Sequence, residues 1–336
     1  MTLPSDAIKK SIERAPNRSM LYAVGFTPED MDKPWVGVAS CWSEGTPCNF
    51  NNHRLAGLVK EGIARAGGLG KEFNTISVTD GIAMGTEGMK ASLASREVIA
   101  DSIELYIIGH SYDGVVAIGG CDKTNPGGLM ALARLNRPGI FLYGGSIMPG
   151  HFQGRDVSIL DIFEAVGKNA AGTMSDEDVY ALERVACPGE GACGGMFTAN
   201  TMSSVSEALG MALPYTASVP AIDPAREELS RQTGEAVARM VREGVRPRDL
   251  MTKDAFINAI TVVEALGGST NAVLHLLAIA KECGVPLTID DFDAVSARTP
   301  HIGDLSPSGR YNMYDLHKAG GVPMVMKLLL DAGLLN

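Results

Sequence analysis

The 336-residue chain has no apolar run of the roughly 18–20 residues that a membrane span needs. Its N-terminal stretch, MTLPSDAIKKSIERAPNRS, has no apolar core and does not read as a secretory signal. Aromatic residues are scarce at 6%, and 29 basic against 39 acidic residues give a net charge of −10 with no Lys/Arg block. Nucleic-acid binding is therefore unsupported. CxxC, HExxH and GxxxxGK-S/T are all absent, which removes zinc ribbons, thioredoxin-type redox pairs, zincins and P-loops. The six histidines are scattered without metal spacing, and there is no short-period repeat or low-complexity linker. The reading is a cytoplasmic protein with a small-molecule partner, and neither nucleic acid nor membrane.

Glycine, by contrast, is abundant. Many of the 39 glycines fall in pairs: 67–68, 119–120, 127–128, 144–145, 194–195, 267–268 and 320–321. Such pairs mark backbone that turns sharply or approaches something closely. Between them the hydrophobic pattern predicts strands over 34–42, 73–81, 115–120 and 139–146. These alternate with helices over 5–15 (capped by Ser5), 53–68, 87–107 and 128–136. Strand, loop and helix repeated in this way predict an α/β fold: a doubly wound, mostly parallel sheet flanked by helices. Beyond residue 150 the pattern is helical over 158–171, 175–187, 196–211, 224–243, 253–265 and 270–283, with a mixture of loop and helix over 291–333. The expected organisation is one unit, 1–336, with an N-terminal arm (1–30), a βαβ core (31–150) and a helix-rich remainder (151–336).

In parallel α/β sheets, ligands collect beyond the carboxyl ends of the strands. The segments there are SEGTPCNFN, DGIAMGTEG, CDKTNPGG and GGSIMPG. They are expected to converge on one crevice. Cys48 and Cys121 lie in two of them, and Cys193 lies in the glycine-rich turn PGEGACGGMF. Three thiols in three such turns suit an iron–sulfur cluster, because thiolates ligate iron and glycines let backbone N–H groups approach sulfide. The alternative is three small buried hydrophobes. Three ligands are one short of four, which would leave an iron open to act as a Lewis acid. Cys41, Cys187 and Cys283 read as packing residues.

Asp80, Glu87 and Asp122 offer oxygens of the kind Mg²⁺ prefers, although Asp80 and Glu87 also suit helix starts. Lys123 could pair with a substrate carboxylate, act as a base, carry a carbamate, or simply face solvent. Ser269 and Thr270 open an apolar helix, either as plain caps or as a carboxylate site.

These segments together resemble the dihydroxy-acid / 6-phosphogluconate dehydratase family. The matching stretches include VASCWSEGTPCNFN, ISVTDGIAMGTEGMKASLASREVIADSIE, AIGGCDKTNPG, GACGGMFTANTMSSVSEALGMALP, GGSTNAVLHL and DLSPSGRYNMYDLHKAGGVPMVMKLLLDAGLL, in order along nearly the whole chain. The likeness is strongest to the branch that serves valine and isoleucine synthesis. It implies a [2Fe–2S] cluster on Cys48, Cys121 and Cys193, with [4Fe–4S] not excluded by the count. It implies Mg²⁺ on Asp80, Asp122 and a carbamylated Lys123, with Glu87 a further candidate. It implies dehydration of a 2,3-dihydroxy-3-methyl acid to a 2-oxo acid by a homodimeric hydro-lyase. A sugar-acid or 6-phosphogluconate dehydratase, and a non-catalytic iron–sulfur module, are the alternatives. The family continues into a β-rich barrel domain that carries the serine base. The expectation is therefore an N-terminal domain in which no catalytic base is identified and which turns over negligibly alone.

Overall fold

A computed structural model describes residues 2–336. Four strands, β1 (Trp35–Ala39), β2 (Leu69–Phe73), β3 (Gly114–Gly119) and β4 (Gly139–Tyr143), form one sheet in the order β2-β1-β3-β4. All three pairings are parallel, with Val36 opposite Gly114 and Val115 opposite Gly139. Strands β1, β3 and the terminal β4 are buried on both faces, as their unbroken apolar runs require.

Alternation along the strands divides the core in two. Val36, Val38, Val116, Ile118, Ile140 and Leu142 face the helices Asn52–Arg65 and Ala225–Glu243. Trp35, Ala39, Val115, Ala117, Phe141 and Tyr143 face the helices Lys90–Gly109 and Thr124–Leu135. Each such aliphatic side chain, fully buried, stabilises the fold by about 1.5–3 kcal/mol. The expected doubly wound α/β architecture is thus present.

The helix-rich remainder packs onto the second face around Thr198–Ala208, every residue of which is buried. Its sequence, TANTMSSVSEA, lets neighbours approach closely. Its serine hydroxyls are satisfied within the helix, Ser203 and Ser204 donating to Asn200 O and Ser206 to Ser203 O. Helices Lys253–Leu266, Asn271–Cys283 and Gly321–Asp331 surround it. No helix among the described residues is long and apolar enough to cross a membrane.

Several local expectations are corrected. The second strand is not 73–81 but Leu69–Phe73, a half-exposed edge whose Lys71 and Glu72 hid it from an apolar search. After Phe73 the chain leaves the ladder because the Asn74 side chain takes over the pairing, accepting from Trp42 N–H (2.7 Å) and donating to Trp42 O (3.0 Å). The 5–15 helix is broken into Asp6–Lys9 and a 3₁₀ turn Ile12–Arg14, separated by Ser11 at φ 71°. Ser5 makes no side-chain cap, since its N–H and hydroxyl donate instead to Asp113. The helix expected from 128 starts at Thr124, so Pro126 sits in its first turn, where no N–H is needed. An unforeseen antiparallel hairpin joins β5 (Gly150–Phe152) and β6 (Arg155–Val157), its Gln153-Gly154 turn having positive φ at both residues, as tight hairpins favour.

Candidate metal centre

Three of the four strand-end segments do converge. A pocket of about 400 Å³ is lined by Cys48 from beyond β1, Thr79–Gly81 from beyond β2, and Gly120–Asp122 from beyond β3. The turn 192–199, residues 267–271 and Pro307-Ser308 complete the wall. The segment after β4 lies behind the pocket instead, Gly145 O accepting from Ala192 N–H and Ile147 N–H donating to Ala192 O, which seats the Cys193 turn.

The first two thiols meet because two backbones cross without a side chain between them. A Cβ on Gly120 would lie 1.7 Å from Cys48 O, so only glycine permits the crossing. Thr124, the first helical residue, accepts from the Gly120 and Cys121 N–H groups through its hydroxyl, at 3.1 and 2.8 Å. Cys48 Sγ is 3.3 Å from Thr79 Oγ1. Contact with Cys121, followed by burial, pushes the Cys48 thiol well above its ordinary range. Burial, and then the Cys121 and Asp122 charges, push Cys193 up to about 12. Both shifts favour the protonated thiol at Cys48 and Cys193 in the metal-free chain, and a bound cation would draw them toward thiolate.

The carboxylates lie on the adjoining wall. Asp80 is buried at the start of the Asp80–Ala83 turn and accepts from Ser92 Oγ (2.6 Å) and Lys123 Nζ (2.5 Å). Asp122 is raised to about 6, by burial first and then by the Asp80 charge, with Lys123 opposing. The Ala199 N–H and Thr198 hydroxyl hold it. Behind Lys123, His275 is fully buried with Nδ1 3.2 Å from Arg96 Nη1. Burial, Arg96 and Lys123 take it down to about 3, so it stays neutral.

Glu87 is not gathered into the pocket: its side chain is exposed and pairs with Lys90 at 2.5 Å. Ser269 and Thr270 do line the pocket, just ahead of the helix Asn271–Cys283. Ser269 caps the helix, its Oγ accepting from Asn271 N–H at 3.3 Å while also meeting Thr198 Oγ1 at 3.0 Å, whereas the Thr270 side chain makes no capping bond. Of the three cysteines read as packing, Cys41 is buried and Cys283 half-buried. Cys187 departs from that reading, being exposed beyond the end of helix Asp176–Glu183. Thr79, Ser92, Thr198 and Asn271 were not singled out from sequence. Only the proximity of Thr79 to Asp80 and of Thr198 to the Cys193 turn could have flagged them.

Among the described residues, no three His, Cys, Asp or Glu side chains stand at the spacing of a ready-made single-ion site. The donors are instead spread around one pocket, soft sulfur from Cys48, Cys121 and Cys193 and hard oxygen from Asp80 and Asp122. The chemistry of that donor set fits an iron–sulfur group and a Mg²⁺ ion side by side.

The dihydroxy-acid/6-phosphogluconate dehydratase N-terminal family matches residues 33–336. Dihydroxy-acid dehydratase 2 of Bradyrhizobium diazoefficiens is 54% identical over 334 residues, 99% of this chain and 58% of that protein. Dihydroxy-acid dehydratase of Acidothermus cellulolyticus is 57% identical over 329 residues, 98% of this chain and 59% of its own length. Dihydroxy-acid dehydratase 2 of Corynebacterium efficiens is 56% identical with similar coverage. The chain thus spans somewhat under three fifths of these relatives, 58–59% of their length. Fold, motif order and these matches place the chain in the dihydroxy-acid/6-phosphogluconate dehydratase family, as its N-terminal region.

Proposed function

We propose that this chain carries the metal-holding part of a hydro-lyase that converts a 2,3-dihydroxy-3-methyl carboxylic acid to a 2-oxo acid. The observation that carries the reading is that three thiols (Cys48, Cys121, Cys193) and the carboxylates Asp80 and Asp122 line one pocket, with Lys123, outside that lining, buried and paired to Asp80.

In the reaction a C2–H and the C3–O bond break, water leaves, and the resulting enol tautomerises to the 2-oxo acid. A [2Fe–2S] cluster and Mg²⁺, when bound, supply Lewis acidity at the departing hydroxyl and at the carboxylate and 2-hydroxyl. Cys48, Cys121 and Cys193 would hold the first, Asp80 and Asp122 the second. Lys123 as a carbamate would replace an ammonium by an anionic oxygen donor toward the same ion. Ser269 and Thr270, at the positive end of the Asn271–Cys283 helix dipole, would hold the substrate carboxylate. The remaining lining is mostly apolar, with Met84, Met89, Ile159, Phe163, Met196 and Phe197 beside the polar Thr79, Thr198, Asn271 and Ser308. That surface suits the methyl branches of an aliphatic acid better than the hydroxyls of a sugar acid.

Calorimetric titration of the anaerobically reconstituted protein with 2,3-dihydroxy-3-methylbutanoate and with gluconate tests this. The expected result is saturable, Mg²⁺-dependent binding of the branched acid that is lost in Asp122→Asn. Binding indifferent to Mg²⁺, or tighter for gluconate, would overturn it.

A further inference from the structure

Asn200 joins three elements behind the Cys193 turn. Its Nδ2 donates to Cys193 O and to Gly195 O, both at 2.6 Å, and its Oδ1 accepts from the Tyr143 hydroxyl at 2.7 Å. Tyr143 ends β4, and both residues are fully buried. The Tyr143 carbonyl is itself held by the Arg226 guanidinium at 2.8 Å.

Donor and acceptor counting fixes the direction of every bond. Two carbonyls can be satisfied only by the amide NH₂, so the amide oxygen must face the phenol, and the phenol must donate. The Cys193 turn cannot hold itself. It is glycine on either side, with Gly191 at φ 128° and Gly194-Gly195 following. Ala192 N–H is tied to Gly145 O and Met196 N–H to Ser306 O, but the Cys193 carbonyl is gripped by Asn200. The phenol also lies near the three thiols: burial raises it well above its usual range, Arg226 opposes, and charge on Cys48, Cys193 or Cys121 would raise it further.

We propose that Tyr143 and Asn200 are positioning residues that fix the Cys193 sulfur relative to Cys48 and Cys121, with the phenol locking the amide orientation. The purpose, presenting the sulfur to an iron–sulfur group, rests on the reading above, whereas the positioning itself is a property of the metal-free chain. Removing the phenol hydroxyl leaves Asn200 Oδ1 buried without a donor and frees the amide to rotate.

The test is site-resolved alkylation by iodoacetamide, followed by mass spectrometry on the metal-free chain. Tyr143→Phe should raise the Cys193 rate on the order of fivefold, the loss of one buried hydrogen bond. The Cys48 and Cys121 rates should hold. Asn200→Ser, which keeps a small polar group but cannot span both carbonyls, should do more. An unchanged Cys193 rate in both variants, or an equal rise at all three thiols, would overturn the proposal. In reconstituted protein the same Tyr143→Phe change should shift the cluster midpoint potential. Wild-type chain that takes up no iron while the alkylation contrast persists would sink the cluster reading and leave the positioning role standing. Iron uptake with equal alkylation rates does the reverse.

Discussion

Lys123 Nζ lies 2.5 Å from Asp80 Oδ2, and the two side chains are only 6% and 8% exposed. Asp122, which lines the thiol pocket with Asp80, is a third ionisable group, raised to about 6 by burial and by Asp80. In the metal-free chain the lysine ammonium is therefore the cation that lets these carboxylates sit together. Carbamylation would remove it and create a demand for a metal ion in its place.

Lys123→Met should then cost about 3–5 kcal/mol, the usual penalty for stripping one partner from a buried pair. The double variant Asp80→Asn/Lys123→Met should recover most of that loss. Urea unfolding in chelator measures both. Equal destabilisation by the single and double variants would show that the pair is not coupled.

The packing of the sheet's first face turns on two glycines. A Cβ on Gly62 would sit 1.9 Å from Arg231 O, and one on Gly234 would sit 2.1 Å from Val59 O. Helices Asn52–Arg65 and Ala225–Glu243 therefore touch backbone to backbone, and alanine at either site must push them apart. Each substitution should cost at least about 1–3 kcal/mol. Gly57, on the same helix with nothing within 4 Å of its would-be Cβ, is the control. There alanine should stabilise by about 0.5–1 kcal/mol. Thermal melts of the three variants separate close approach from helix propensity.

Glu207 gives the chain a pH dependence away from the metal centre. Burial raises it to about 7, opposed by hydrogen bonds from the Ala217 and Tyr215 N–H groups and by the Arg226 charge. The Ala217 N–H bond is 2.6 Å long, and Lys327 lines the adjoining pocket. A carboxyl raised on folding takes up a proton in the native state, so its contribution is full below the ordinary value of 4.5 and is lost as pH rises through about 7. The span corresponds to roughly 3 kcal/mol. Stability of the wild type should fall as pH rises from about 4.5 to about 8, and Glu207→Gln should flatten that slope. Denaturant midpoints across this range provide the check, and an unchanged slope in the variant would assign the effect to other groups.

Much of this was legible in the chain itself, for identifiable reasons. VGVA, GVVAIG and GIFLY are strands buried on both faces, so nothing but apolar residues fits there. LGKEF is an edge strand half open to solvent, where Lys71 and Glu72 are tolerated, and an apolar search slides past it to ISV. Ser5 looked like a helix cap because its partner, Asp113, is more than a hundred residues away. At the centre, Cys48, Cys121, Asp80 and Asp122 could be found because strand ends in a parallel sheet point the same way. Glu87 could not be excluded, since only the fold shows that its turn faces Lys90 and solvent. Tyr143 and Asn200 were hidden for the opposite reason: each reads locally as ordinary strand or helix, and their role exists only across the contact between them.

The central claim is that Cys48, Cys121 and Cys193, and not the other three cysteines, hold an iron–sulfur group. Iron and sulfide content, with the visible charge-transfer absorption, should be measured after anaerobic reconstitution of six single alanine variants. The account predicts full loading for Cys41→Ala, Cys187→Ala and Cys283→Ala, and loss of iron and colour in Cys48→Ala, Cys121→Ala and Cys193→Ala. Full loading in any of the last three, or loss confined to Cys187→Ala, would contradict it.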